Sequence, residues 1–399
     1  MKILYCHDNV YYKDDQEHHF SAGQFGYDYW QPYLEAFGSL TVLGRGESLP
    51  TNADMRKMSR SDGQNVEIKT FSNINSPLAL LEHRKHVASA IISEVNNSDG
   101  VIIRAMSEIG WIAFKEARRL GLPVAHELSG CPWDNTWNHG SLVGKLYAPV
   151  RYLRARKVAR EADGVIYVTR DFLPNRYPAA GFTAIASNVR LEKPGPSVLE
   201  NRKNKIQNPA SHLSIGLIGQ LDHKLKGIDV AMKALAAFKE KHPSANVKLH
   251  LLGPGNPEKY ESLIKDLNLT NHISFDGILS GGQAVYNWLD NIDIYIQPSF
   301  HEGLPRALIE AMSRGCPCLA STAGGISELL DEDFLHKPGD HAKLAEDIKK
   351  LHISPPSRLI QIAETNFRSS LHYTSDKLIP IRRNFWKKFA NTVKQRHAQ

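Results

Sequence analysis

Glu302 and Glu310 lie with seven residues between them in Pro-Ser-Phe-His-Glu-Gly-Leu-Pro-Arg-Ala-Leu-Ile-Glu-Ala-Met-Ser-Arg-Gly-Cys-Pro, residues 298–317. An ionised carboxylate accepts several hydrogen bonds, so a pair of ligand hydroxyls suits it well. Glu302 falls in a polar loop after Asp293–Gln297, a short apolar run that reads as a buried parallel strand. Glu310 falls about a turn and a half into a helix. Pro305 can open that helix, and Gly315 and Pro317 close it. The amides of Gly303, Leu304 and Arg306 sit near the helix start, where unsatisfied N–H groups attract anions and hydroxyl oxygens. Cys318–Ala320 is the next strand. Strand, loop, helix and strand make one unit of a doubly wound sheet, which binds ligands at the carboxyl ends of its strands.

Other residues suit the same chemistry. Leu213–Ile218 reads as a strand leading into Gly219-Gln-Leu-Asp-His-Lys-Leu-Lys-Gly227. An ammonium beside a glycine loop suits a diphosphate, which makes Lys226 a phosphate contact. In the first half, Ile3–Cys6 is a strand followed by a polar segment, 7–21. Gly23 and Gly26 then precede a helix through Tyr29, Tyr33, Leu34 and Phe37, and would let backbone approach a ligand closely. Val124-Ala125 is a short strand that delivers His126 and Glu127 to a loop running through Gly140, with the composition of a binding loop.

The elements that must position these residues alternate between strand and helix. Strands fall at 40–43, 66–68, 100–103, 163–168 and 184–186, and helices at 78–96, 109–120 and 141–162, the last divided by Gly144 and Pro149. Residues 191–212 read as a linker, since the run 200–208 is poor core material. After it come a strand at 247–252 ending in Gly253-Pro-Gly255, further strands and helices, and a long basic helix at 376–394. Two α/β domains follow, 1–190 and 213–375, with 376–399 as a terminal helix.

The 399 residues are 42% apolar and 23% charged, which excludes wholesale disorder. No run of eighteen apolar residues is present, so no membrane span is expected, and the N-terminus turns polar too early for a signal peptide. Four cysteines without paired spacing point to a reducing cytoplasm. A net charge of +7 favours anionic partners. No zinc-finger or RNA-recognition pattern accompanies it, so nucleic acid is not expected. Ile3–Cys6 is not followed by Gly-x-Gly-x-x-Gly, which argues against a dinucleotide dehydrogenase.

The whole pattern Pro-Ser-x-x-Glu-Gly-Leu-Pro-x-x-x-x-Glu-Ala-Met-x-x-Gly-x-Pro resembles the signature of retaining glycosyltransferases of family four (glycosyltransferase group 1). It is similar in particular to bacterial surface-polysaccharide transferases. Ala323-Gly-Gly-Ile-Ser-Glu-Leu329 extends the likeness through a Gly-Gly-x-x-Glu segment. Loop 219–227 resembles the family's Gly-Arg-Leu…Lys-Gly diphosphate clamp, with Lys226 at the lysine and Gln220 in place of the arginine. Lys224 is the candidate to restore that charge.

The resemblance implies the GT-B fold, two Rossmann-like doubly wound domains facing a cleft, with the terminal helix returning to the first domain. It implies a nucleotide diphosphate sugar, UDP- or GDP-linked, held by the second domain, and a glycan or lipid-linked acceptor held by the first. Glu310 would take the ribose hydroxyls. Glu302, with His301, Gly303 and Leu304, would lie near the donor sugar. His126, with Glu127 as competitor, would approach it from the first domain. Gly253 would border the base, and Gly23 and Gly26 would face the diphosphate or the acceptor. No metal or other cofactor is required. Asp331-Glu-Asp333 follows a helix end beyond the site loops and reads as solvated turn acids. Lys145, Arg151, Arg154, Arg156, Lys157 and Arg160 on helix 141–162 read first as a solvated helix face; the sharper alternative is a basic surface offered to anionic lipid at the cytoplasmic face of the inner membrane. The alternatives are a nucleotide-sugar epimerase and a non-catalytic nucleotide-sugar-binding assembly protein. The sequence cue for the latter, loss of Lys226 and Glu310, is missing.

Overall fold

A computed structural model describes residues 1–23, 25–50, 55, 58–72, 77–138 and 141–397. The first domain is built on β1 (Lys2–Lys13), with β2 (His19–Ala22), α1 (Gln31–Phe37), β3 (Ser39–Ser48), β4 (Met58–Arg60) and β5 (Val66–Phe71) after it. Then come α2 (Pro77–Asn96), β6 (Gly100–Arg104), α3 (Glu108–Leu120), β7 (Val124–Leu128), α4 (Pro132–Trp137), α5 (Leu142–Glu161), β8 (Gly164–Tyr167), α6 (Phe172–Arg176) and β9 (Phe182–Ile185). The parallel strands run β5-β3-β1-β6-β7-β8-β9. The central strands β6 and β7 are buried at every position, as strands covered on both faces are, although β7 carries His126 and Glu127.

The polar segment 7–21 is not a plain loop. β1 shifts register between Cys6 and Val10 and continues along β3 to Lys13↔Ser48. It then pairs antiparallel with β2, which pairs with β4. Tyr11 makes this possible by burying its ring and hydrogen-bonding His7 Nε2 at 2.8 Å.

The second domain contains α7 (Pro196–Gln207), β10 (Leu213–Ile218), α8 (Ile228–Lys241), β11 (Val247–Leu252), α9 (Glu261–Asp266) and β12 (Ile273–Gly277). It continues with α10 (Gln283–Asn291), β13 (Ile294–Gln297), α11 (Arg306–Ser313), β14 (Cys318–Ser321), β15 (Leu335–His336), α12 (His341–His352) and α13 (Pro356–Ser370). Its parallel sheet has the order β12-β11-β10-β13-β14-β15, so the order reverses beside β10 and β13. That is the switch point where such sheets bind ligands.

The expected linker is largely helical. Pro196 opens α7, and Arg202 is buried on its inner side. The Arg202 guanidinium donates to the carbonyls of Leu289, Ile292 and Arg314. These close α10 and α11, so one cation meets the negative ends of two helix dipoles. A polar sequence thus packs as part of the second domain.

The last helix, α14 (Ser375–His397), lies on the first domain. Trp386 is fully buried, 4.8 Å from the Tyr33 ring. Arg383 pairs with Glu35 at 2.8 Å and Arg396 with Asp163 at 3.1 Å. Where the chain crosses back, Ser375 N–H donates to the Leu191 carbonyl at 2.7 Å, beside the outward crossing.

Candidate active site

Lys226 and Glu302 meet at the carboxyl ends of β10 and β13. Lys226 ends a 3-10 turn, and Gly227 follows in the left-handed conformation (φ 67°), where a Cβ would stand 2.1 Å from the Pro298 carbonyl oxygen. The Phe300 N–H donates to the Leu225 carbonyl at 2.8 Å. These two contacts clamp the loops together. Lys226 Nζ then lies 2.7 Å from Glu302 Oε1. The same oxygen accepts from Ser299 Oγ at 2.7 Å and Gln297 Nε2 at 3.1 Å, and Tyr295 hydroxyl donates to Gln297 Oε1 at 2.8 Å. A buried carboxylate fixed by three donors keeps one position. Gln297 and Ser299 were not singled out from the sequence. Ser299 lies in the motif and Gln297 just before it, but only the folded loop turns them towards Glu302.

This loop abuts the first domain. A Cβ on Gly303 would stand 2.1 Å from the Ser129 carbonyl oxygen, so no larger residue fits the seam. His301 faces Gly130, and burial lowers its pKa below the ordinary imidazole value. Asn138 Nδ2 donates to the Phe300 carbonyl at 2.9 Å. Leu304 is buried behind the loop. Glu328, the acid of the Gly-Gly-x-x-Glu segment, accepts from the backbone N–H groups of Arg170 (2.6 Å), Asp171 (3.1 Å) and Phe172 (2.8 Å) at the start of α6. A second-domain carboxylate thereby caps a first-domain helix.

Glu310 lines a cleft of about 920 Å³ between the domains, together with Gly23, Gly26, Tyr29, Arg190 and Arg306. Burial raises the Glu310 pKa above its ordinary value, and Arg306 partly offsets this. A Cβ on Gly26 would come within 2.8 Å of Ser59 Cβ, so glycine is needed there for packing. The structure thus gathers Lys226, His301, Glu302 and Gly303 at one seam, and Gly23, Gly26 and Glu310 around the cleft.

Other candidates fall elsewhere. β7 extends through Leu128, so His126 and Glu127 lie inside the strand rather than in a loop after it, whose remaining expected residues 139 and 140 lie outside the described residues. His126 is fully buried, and neither ring nitrogen has a hydrogen-bond partner among the described residues. Burial lowers its pKa to about 4, so it is neutral at pH 7. Glu127 belongs to the core, which corrects its assignment to the ligand. Its carboxylate accepts from the Tyr5 and Tyr33 hydroxyls at 2.9 Å, and pairs with Arg104 and Arg382 at 3.0 Å. Gly253 is demanded by backbone approach, since a Cβ would stand 2.1 Å from the Gly219 carbonyl oxygen. Gln220 and Lys224 are exposed on the same rim. Asp331, Glu332 and Asp333 are exposed in a turn.

Two parallel-sheet domains with switch-point loops facing each other, and a terminal helix folded back on the first, constitute the GT-B architecture. Comparison with solved structures agrees. Anabaena Alr3699/HepE in complex with UDP and glucose superposes with a TM-score of 0.61 at 21% identity, covering 99% of each chain. Sucrose-phosphate synthase from Thermosynechococcus elongatus superposes with a TM-score of 0.62 at 17% identity, covering 100% of this chain and 98% of that one. Residues 212–353 match the family model described as glycosyl transferases group 1. The sequence is 33% identical over 369 residues to Protein CapJ of Staphylococcus aureus, covering 91% of this chain and 90% of that protein. It is also 26% identical over 144 residues to the lipopolysaccharide glucosyltransferase WaaG of Escherichia coli (strain K12), covering 35% of this chain and 37% of that protein. The chain belongs to the glycosyl transferases group 1 family.

Proposed function

We propose that this enzyme is a retaining, hexosyltransferase-type glycosyltransferase. It moves a sugar from a UDP- or GDP-linked donor to a glycan or lipid-linked acceptor in bacterial surface polysaccharide assembly, working at the cytoplasmic face of the inner membrane. The observation that carries the reading is the Lys226–Glu302 pair, held at 2.7 Å where the switch-point loops of the second domain meet the first. A bound UDP and glucose in a structural neighbour, and a lipopolysaccharide glucosyltransferase among the relatives, support the donor and acceptor classes.

In this reading Glu310 accepts hydrogen bonds from the ribose hydroxyls. Lys226 meets the diphosphate, and with the amides near Gly303 and Leu304 it stabilises the charge that grows as the diphosphate leaves. The bond from the sugar's anomeric carbon to the diphosphate oxygen breaks, and a bond to the acceptor oxygen forms on the same face. The acceptor's proton leaves on the departing diphosphate. Glu302 and its loop hold the sugar. His126, buried inside β7 as a neutral imidazole, is assigned no step. No metal ion is assigned a role.

The test is a panel of UDP- and GDP-sugars screened by thermal shift, because a ligand of the folded state raises its apparent stability. The stabilising donor is then incubated with candidate acceptors, and the anomeric configuration of the product is read by NMR. An inverted product would overturn the retaining mechanism. Donor isomerisation without an acceptor would establish the epimerase instead. A panel in which nothing binds would overturn the donor class.

A further inference from the structure

Helix α5 has two apolar faces. Ala148, Ala155, Val158 and Ala159 are buried against the first domain. On the other side Leu142, Leu146 and Leu153 are 79%, 82% and 63% exposed, and Val143 and Val150 stand in solvent beside them. Leu142, Leu146, Val150 and Leu153 follow one another at helical steps and form one line. Trp137 at the end of α4 is exposed too, with Lys145 Nζ 5.8 Å from its ring centroid. A surface helix normally turns its single apolar stripe inward. A second, outward stripe marks an interaction surface.

The charge around this stripe says what covers it. Lys145, Arg156, Lys157 and Arg160 are exposed along the helix, and its single acid is Glu161. Glu161 is already engaged by Lys157 at 3.4 Å and Arg118 at 3.9 Å. Arg151 and Arg154, expected from the sequence to share this surface, do not belong to it. Arg151 donates to the Met106 carbonyl, and Arg154 pairs with Glu108 and lies 5.0 Å over the Trp111 ring. A face with four cations and one occupied acid offers a second copy of itself no complementary charge. Leucines and an aromatic ring flanked by lysine and arginine are the composition of a helix lying in a lipid interface.

We propose that this face of α5, with Trp137, docks on the surface of an anionic membrane, the cations meeting lipid headgroups and the leucine line entering the interfacial layer. Among the described residues no helix is long and apolar enough to cross a membrane, so the association is peripheral. The surface adjoins the site: Asn138, next to Trp137, holds the Phe300 carbonyl beside His301 and Glu302. On the reading of function above, a lipid-linked acceptor would reach the seam without leaving the bilayer surface. The docking itself does not depend on that reading.

The test is sedimentation of the full chain with phosphatidylcholine vesicles, with and without phosphatidylglycerol, at low and high salt. The wild type should bind only the anionic vesicles, and less as salt shortens the Debye length. Arg156→Gln/Lys157→Gln/Arg160→Gln should lower partitioning roughly a hundredfold, since each cation contributes about 1 kcal/mol. Leu146→Gln/Leu153→Gln should lower it about tenfold or more by removing apolar insertion. Circular dichroism and melting confirm that the variants fold, which these exposed positions permit. Failure of the wild type to bind anionic vesicles at low salt would overturn the proposal. So would a leucine variant that sediments like wild type. A wild-type dimer in lipid-free buffer that the leucine variant breaks, without vesicle binding, would overturn it in favour of a second copy. No nucleotide sugar enters the assay, so its outcome is separate from that of the transfer reaction.

Discussion

Glu127→Gln should destabilise the protein by about 3–5 kcal/mol, the usual cost of removing one partner from a buried ion pair. The carboxylate is 1% exposed and sits between Arg104, which is buried, and Arg382, which is half-buried. An amide keeps the shape but removes the charge, and its NH₂ group turns towards groups that donate. A second route gives a similar size. Burial alone would raise the Glu127 pKa, but Arg104 and then Arg382 outweigh it and hold it at about 2 against an ordinary 4.5. At about 1.4 kcal/mol per unit, the ionised form contributes roughly 3 kcal/mol at neutral pH. Because the folded-state value is depressed, that contribution is complete above about pH 4.5 and is lost as pH falls towards about 2. Urea unfolding followed by circular dichroism at pH 7, and again down this acid range, reads both effects. The variant should have a lower midpoint at pH 7 and a shallower loss of stability between pH 4.5 and 2. A midpoint equal to wild type, or an unchanged acid slope, would refute the assignment of Glu127 to the core.

Glu310→Gln should lower affinity for the bare nucleotide about tenfold or more, because hydrogen bonds to a charged acceptor are worth roughly 1–3 kcal/mol; calorimetry with UDP and GDP checks this. Its fold should not weaken, since burial already disfavours the charge. As the carboxyl's pKa is raised, wild-type affinity should fall on acidification before an ordinary glutamate would protonate, and the glutamine variant should lack that fall. Lys226→Ala should cost about a hundredfold in turnover, the scale of losing one donor to a developing anion, with little effect on nucleoside binding. Gln297 and Ser299 still hold Glu302 in that variant, so folding should persist. Equal small effects on turnover and binding would leave Lys226 a partner of Glu302 with no part at the diphosphate. Turnover should survive a chelator; strict dependence on added manganese would contradict the metal-free reading.

What could be read from the sequence was mostly local. The Glu302 loop and the Glu310 helix follow from a strand, a proline and a glycine within one stretch, and the alternation of strands and helices follows from short apolar runs. Glu127 shows where that reading stops. Polar residues near a strand end suggest a ligand, but the partners that claim Glu127 lie 122 and 255 positions away, at Tyr5 and Arg382. Arg202 is similar: a polar run suggests a linker until the ends of α10 and α11 appear beneath it. Arg151 and Arg154 were legible as cations of a helix, but their inward direction depends on Met106 and Glu108. Glu328 stood in a quoted motif, yet its role needs the other domain.

The paired crossings at Leu191 and Ser375 change what counts as a separable piece of this enzyme. Residues 1–190 do not contain Arg382 or Trp386, so a fragment ending there would strand the Glu127 carboxylate without one of its cations and uncover Tyr33 and Phe37. A chimaera that exchanges first domains between relatives must therefore carry the last helix along with the first half of the chain.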